Sequence, residues 1–157
     1  MIRKNSFSLA ALVLFVSVCM FTSCKFEPDA SIIGTWKSTY DEVFKITAST
    51  FTNEYNGYVS YAGTIDNMRD DGSGAGYITI KLTENNYYPG ESVNKFYVIH
   101  YKNLTDSTAD IAGAYISGAP EFHPETGTGG KDTKAEAEST YTVAAGAFAF
   151  YSTCARQ

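Results

Sequence analysis

Cysteine is scarce in this chain, with 3 in 157 residues, and two of them, Cys19 and Cys24, fall in or just after an apolar amino-terminal stretch. Only Cys154 lies in the body of the sequence, so a disulfide-framed small domain is excluded and packing must hold the fold. Histidine is nearly as rare, at two, which limits general acid–base chemistry. No serine stands in a nucleophile elbow, no glycine loop has a phosphate-binding pattern, and no carboxylate pair is set out for catalysis. Basic residues are outnumbered, 12 Lys and Arg against 17 Asp and Glu, which argues against nucleic acid or anionic headgroups as partners. The longest apolar run, Leu9 to Phe21 with Ser17 tolerated, has 13 residues, short of the ~20 a membrane-spanning helix needs. No repeat, heptad or low-complexity tract is present.

What the amino terminus does contain is a bipartite pattern. Arg3 and Lys4 precede the apolar run, and Thr22-Ser23-Cys24 follows it. A charged region, a short apolar region and small residues before a cleavage point make a secretory signal. A cysteine directly after those small residues converts secretion into anchoring, because its thiol is acylated and the bond before it is cut. Cys24 is therefore the expected lipidation site. Cys19 is a poorer candidate because bulky Val18 precedes it. Phe21 stands where such boxes usually carry Leu, Val or Ile, a departure of the kind that the looser boxes of spirochaete lipoproteins accept. Each buried methylene adds ~0.8 kcal/mol, so two or three acyl chains hold a protein essentially permanently.

The expected organisation is a cleaved signal over 1–23, a lipidated tether over 24–31 and one domain over 32–157. Cleavage leaves 134 residues with 10 basic against 17 acidic side chains, a formal charge of −7. That is one domain's worth of chain, with a surface charge that keeps an anchored domain soluble.

Tyrosine and phenylalanine are abundant, at 12 and 10, beside 13 glycines. Aromatic enrichment with many turn residues is a strand-and-turn composition. Strands are expected at Ile33 to Thr39, Glu42 to Thr47, Thr50 to Tyr55, Tyr58 to Asn67, Gly76 to Thr83, Lys95 to Asn103, Thr108 to Ser117 and Ala147 to Thr153. Asn56-Gly57 is a two-residue hairpin signal. Ile78, Ile80 and Leu82 alternate with Tyr77, Thr79 and Lys81 in the cleanest strand pattern. Asp132 to Tyr141 is expected to be helical, with Asp132 or Thr133 as its amino-terminal cap and Glu136 three residues after Thr133, as in a capping box. Eight consecutive strands joined by tight turns, with one short helix before the last, favour an all-β, up-and-down antiparallel barrel, since closure removes both sheet edges. Its interior either fills with side chains or holds one small ligand.

Gly34-Thr35-Trp36 opens the first expected strand and Arg156 lies past the last. The pair resembles the signature of the lipocalin and wider calycin group. The stretches Gly63-Thr64-Ile65, Gly76 to Lys81 and Tyr97 to Leu104 resemble small lipocalin-like lipoproteins of spirochaetes, over roughly Ile32 to Tyr151. The resemblance implies that the Trp36 indole crosses one end of the barrel with Arg156 packed over it, and that Gly34 belongs to that closure. It implies a shape and no activity. No second motif of the Thr-Asp-Tyr type is present, so the resemblance is to the superfamily shape.

The remaining polar residues support structural readings. His100 lies mid-strand among aromatics and reads as a packed side chain. Glu121, His123 and Glu125 form a loop cluster without regular metal-ligand spacing. Asp66, Asp70 and Asp71 lack the oxygen ladder of a calcium loop. Cys154 reads as a buried thiol. No enzyme, cofactor or metal site is expected. The expected role is a lipid-anchored protein of a bacterial cell envelope, periplasmic or surface-facing, that binds a small hydrophobic or amphiphilic ligand. The alternative is a protein-interaction module with a filled barrel. If there is a ligand site, it should open opposite Trp36, with Tyr61, Tyr97 and Tyr101 as its inward aromatic walls. The expected partners are thus the membrane and either an apolar small molecule or a protein, with no nucleic acid.

Overall fold

The computed structural model describes residues 30–86, 92–115 and 130–157. The expected signal, Cys24, the Pro89-Gly90 loop and the Glu121, His123 and Glu125 cluster lie outside the described residues. The strands are β1 (Gly34–Ser38), β2 (Glu42–Ile46), β3 (Thr50–Tyr55), β4 (Tyr58–Asp70), β5 (Gly76–Asn85), β6 (Phe96–Lys102), β7 (Thr108–Gly113) and β8 (Ser152–Arg156). A short helix, α1 (Lys134–Thr140), precedes β8. Every strand pairs antiparallel with its sequence neighbour, and β1 pairs with β8, which closes an up-and-down barrel.

Local chemistry explains most of the turns. Asn56 and Gly57 take φ of 51° and 81° between the paired Tyr55 and Tyr58, as a primed hairpin turn requires. Two turns repeat one device, Thr-x-x-Thr. Thr47 N donates to Thr50 O at 2.9 Å and Thr105 N to Thr108 O at 2.8 Å, and in each the two threonine hydroxyls are bonded to one another. The Asp70–Gly74 turn is organised by carboxylates: Asp70 accepts from Gly72 N at 2.7 Å and Asp71 from Ser73 N at 3.0 Å, an Asx pattern. These three turns lie at the end of the barrel where β1 starts and β8 finishes.

The inner face is apolar and closely occupied. Trp36, Phe44, Phe51, Ile78, Ile80, Leu82, Ile99, Tyr101 and Ile111 are all buried there in one cluster. A second, smaller cluster lies outside the barrel wall. Val98 and Ala112 on the outer face of β6 and β7 pack with Ala137 and Tyr141 of α1 and with Ala147 and Phe148. The β6 strand is thus covered on both faces, which is why its sequence does not alternate cleanly.

α1 is two residues shorter at its start than the sequence suggests. Thr133 is its N-cap, accepting from Glu136 N at 3.2 Å, so the hydroxyl half of the expected capping box is present. The barrel's last strand corrects the sequence expectation more strongly. The sequence pattern predicts it at Ala147 to Thr153, but β8 begins at Ser152 and contains Arg156. Phe148 is buried against Tyr77 and His100 on the outer wall, while Phe150 is exposed. Segment 147–151 therefore packs side-on over the wall, and the next five residues enter the gap between β1 and β7. β7 is shorter than expected, ending at Gly113 rather than Ser117. β4 is longer and carries two register shifts against β5, which let a long strand curve around a small barrel.

Candidate functional site

The two ends of the barrel differ in chemistry. At the end where β1 starts, Trp36 is fully buried and its indole nitrogen donates to Ile32 O at 2.8 Å. The Arg156 guanidinium lies 4.1 Å from the indole centroid, a cation–π contact. Its nitrogens donate to Asp106 O at 2.7 Å, to Ile33 O at 2.8 Å and to Ser31 O. Gly34 sits beneath this group at φ 153°, and a Cβ there would run into the guanidinium. The fork of Arg156 thus fastens the chain entering β1 to the β6–β7 turn, across the face of Trp36.

Among the described residues, Tyr61, Tyr97 and a polar group stand at the far end. Tyr61 and Tyr97 are half-buried, with ring centroids 5.5 Å apart, edge to face. Tyr61 stacks on Phe51 at 5.7 Å, and Phe51 meets Phe44 at 6.2 Å. Ring contacts therefore run from Phe44, the cross-strand partner of Trp36, through Phe51 to Tyr61 and Tyr97. The Tyr97 hydroxyl donates to Ala114 O at 2.8 Å. Beside these rings the Glu42 carboxylate accepts from Asn53 Nδ2 at 2.8 Å and from Ser152 Oγ. Asn53 is buried, and Asn85 Nδ2 is held by Ser92 Oγ at 2.5 Å. Sequence reasoning overlooked this group, although Glu42 shares the parity of Phe44 and Ile46 and was legible as inward.

The three tyrosines expected at the ligand site do not stay together. All three point inward, but only Tyr61 and Tyr97 stand at the end opposite Trp36. Tyr101 is buried beside Gly76, near the Asp70–Gly74 turn, at the Trp36 end. Burial first, then the charge and hydrogen bond of Asp70, push its phenol up to about 12. The reason is strand length: four residues along the seven-residue β6 carry the chain ~13 Å along the strand.

His100 is buried on the outer wall, 4.7 Å from the Tyr77 ring and 5.2 Å from Phe148. Its Nδ1 shares a 2.8 Å hydrogen bond with the Tyr151 hydroxyl. Burial lowers its pKa below the usual value, with Asp71 opposing and Lys102 adding to that effect. The Cys154 thiol is buried and pushed up to about 12, first by burial and then by the charges of Glu42 and Asp110. A thiol held so firmly protonated is a poor nucleophile. Among the described residues no group of three or more His, Cys, Asp or Glu comes together around a cation position, and no helix is long and apolar enough to cross a membrane. No family model, no curated protein and no solved structure matches this chain.

Proposed function

We propose that this chain is a lipid-anchored protein of a bacterial cell envelope whose barrel is a filled scaffold presenting the end opposite Trp36 to a partner. One observation carries the choice of a filled scaffold over a ligand carrier. Inside the barrel Phe44, Phe51, Tyr61 and Tyr97 form a run of successive ring contacts, with Trp36, Phe44 and Phe51 in one buried cluster against which Tyr61 and Tyr97 pack. An apolar ligand of the kind that eight-stranded barrels hold would have to displace that core, and each displaced large side chain costs several kcal/mol.

The anchor reading rests on the Thr22-Ser23-Cys24 box and gives the barrel a direction. The described chain enters along the Trp36 end, where Arg156 holds the carbonyls of Ser31 and Ile33. Cys24 lies six residues before Ala30, a reach of ~20 Å when extended. Acylation there would set the Trp36 end toward the membrane and the far end away from it.

Native mass spectrometry of the protein released from its own membrane tests the filled-scaffold reading. The expected mass is that of the acylated chain alone. A retained apolar small molecule, lost when Tyr61 and Tyr97 are both changed to Ala, would establish the ligand carrier instead.

A further inference from the structure

The far end carries an aromatic surface that neither core uses. Tyr58, Tyr40 and Tyr55 are 80%, 78% and 50% exposed, so most of each ring contributes nothing to the packing of the barrel. They are neighbours. Tyr55 and Tyr58 are paired across the Asn56-Gly57 turn, and cross-strand partners project to the same face. Tyr40 lies in the adjoining β1–β2 turn, which is tied to the hairpin by Asn56 N donating to Asp41 O at 3.2 Å. Against the hairpin lies a groove of about 290 Å³ lined by Tyr55, Asn56, Tyr58, Val59, Ser60 and Asn86.

The lining decides what such a groove can recognise. Among the described residues its lining contains no charged side chain, with Glu84 beside it bonded to Asn86, so an anion would find no counter-charge there. Val59 is the one aliphatic side chain in that lining among the described residues, too little for an acyl chain. Asn86 has both amide hydrogens committed, to Val59 O at 2.8 Å and to Glu84 Oε1 at 2.7 Å. It is therefore held rigidly and offers its carbonyl oxygen as an acceptor. The tyrosine hydroxyls, Ser60 and the Asn56 amide supply further donors and acceptors. Ring faces are electron-rich at their centres and attract polarised C–H bonds. Aromatic faces flanked by amides and hydroxyls, without charge, match a pyranose ring, which presents C–H bonds on its faces and hydroxyls around its edge. A protein partner would ordinarily be met by a desolvated pocket with apolar surroundings, and the volume falls at the lower limit of small-molecule clefts.

We infer that the Tyr55–Tyr58 hairpin and Asn86 form a binding site for a neutral saccharide, with Tyr40 extending the stacking surface. The inference rests on the anchored-module reading above and names the chemistry of its partner. In that reading the site faces away from the membrane, toward glycans of the envelope or its surroundings.

The test uses the full chain in detergent, titrated with the tetrasaccharides of β-1,4-glucose, α-1,4-glucose and β-1,4-N-acetylglucosamine, followed by saturation-transfer NMR and calorimetry. At least one is expected to bind, with ring protons of the sugar receiving the transfer. Tyr58→Ala should weaken that binding about tenfold or more, whereas Tyr58→Phe, which keeps the ring face, should change it less than about threefold. Tyr58 is exposed, so both variants should retain the wild-type circular dichroism and urea midpoint. Absence of binding to all three sugars at millimolar concentration would overturn the assignment. So would binding that Tyr58→Ala and Tyr55→Ala leave intact. A protein cross-linked in cells through a photoreactive residue at position 58 would replace the saccharide with a protein while leaving the anchored module standing. A small molecule retained inside the barrel would remove the module itself.

Discussion

Gly113 and Tyr97 share one space. A Cβ on Gly113 would stand 2.6 Å from the Tyr97 hydroxyl oxygen and 3.0 Å from that of Tyr61. The end of β7 is thus shaped to receive two phenol tips, and Tyr97 is fixed there by its hydrogen bond to Ala114 O. Gly113→Ala should cost about 1–3 kcal/mol, as overpacking does in a well-filled interior. Tyr97→Phe removes the nearest atom, so the double variant should be more stable than the sum of the single effects implies. Urea unfolding of the four proteins measures the coupling, and strict additivity would show that the two residues do not share space.

Trp36 and Arg156 provide a test of the other end. Trp36→Ala should cost about 3–5 kcal/mol, as truncation of a buried aromatic does. Arg156→Ala loses three bonds to carbonyls as well as the stacked cation, and should cost about 1.5–3 kcal/mol. Arg156→Lys should recover only part of that, because an ammonium cannot span three carbonyls as a planar fork does. Equal urea midpoints for wild type and Trp36→Ala would contradict the packing described.

His100 makes stability depend on pH in a direction its surroundings fix. Burial lowers its folded pKa below the unfolded value near 6.5, so the unfolded chain takes up the proton first. Its contribution is fully present above about pH 6.5 and is lost as pH falls from there through the folded value. The groups facing it are Tyr77, Phe148, Tyr151, Asp71 and Lys102. The urea midpoint of wild type should fall between pH 7.5 and 5.0 more steeply than that of His100→Gln. Parallel slopes would show that the imidazole does not titrate differently on folding.

Cys154 should be silent toward alkylation in the native protein. With the thiol buried and held protonated, iodoacetamide at pH 8 should leave the native chain unmodified at this position. The same reagent in 8 M urea should add one carbamidomethyl group there. Tryptic mass spectrometry reads both outcomes, and rapid native labelling would mean that the β1–β8 seam opens.

Cys24 carries the anchor prediction. Cells fed a clickable fatty acid should label the wild-type chain and leave Cys24→Ser unlabelled, with the uncleaved signal retained in its mass. Label persisting on the Cys24→Ser chain would remove the anchor from the proposal.

Wherever one local rule decided the structure, that part was legible in the residues. Strict alternation placed Ile78, Ile80 and Leu82 inside β5, Asn56-Gly57 specified its hairpin, and Thr133 capped its helix, because each depends on neighbours a few positions away. Eight strands and tight turns then led to closure, since a closed barrel leaves no edge to protect. Tertiary packing decided the rest. Phe148 looks like a strand residue by composition, but its ring is buried against His100 on the outer wall, and β8 starts four residues later. Phe96, Val98 and His100 form the outward row of β6, nearly as covered as the inward row of Tyr97, Ile99 and Tyr101. Only the arrival of α1 and segment 147–151 over that wall explains both rows. Tyr101 shares a face with Tyr97 but stands at the opposite end, a separation set by strand rise that no alternation pattern records. Glu42 and Ser152 are 110 positions apart, and only barrel closure brings them into one hydrogen-bonded pair. Local chemistry specified the elements and their faces; which covered surface each face would meet was settled only when distant segments packed.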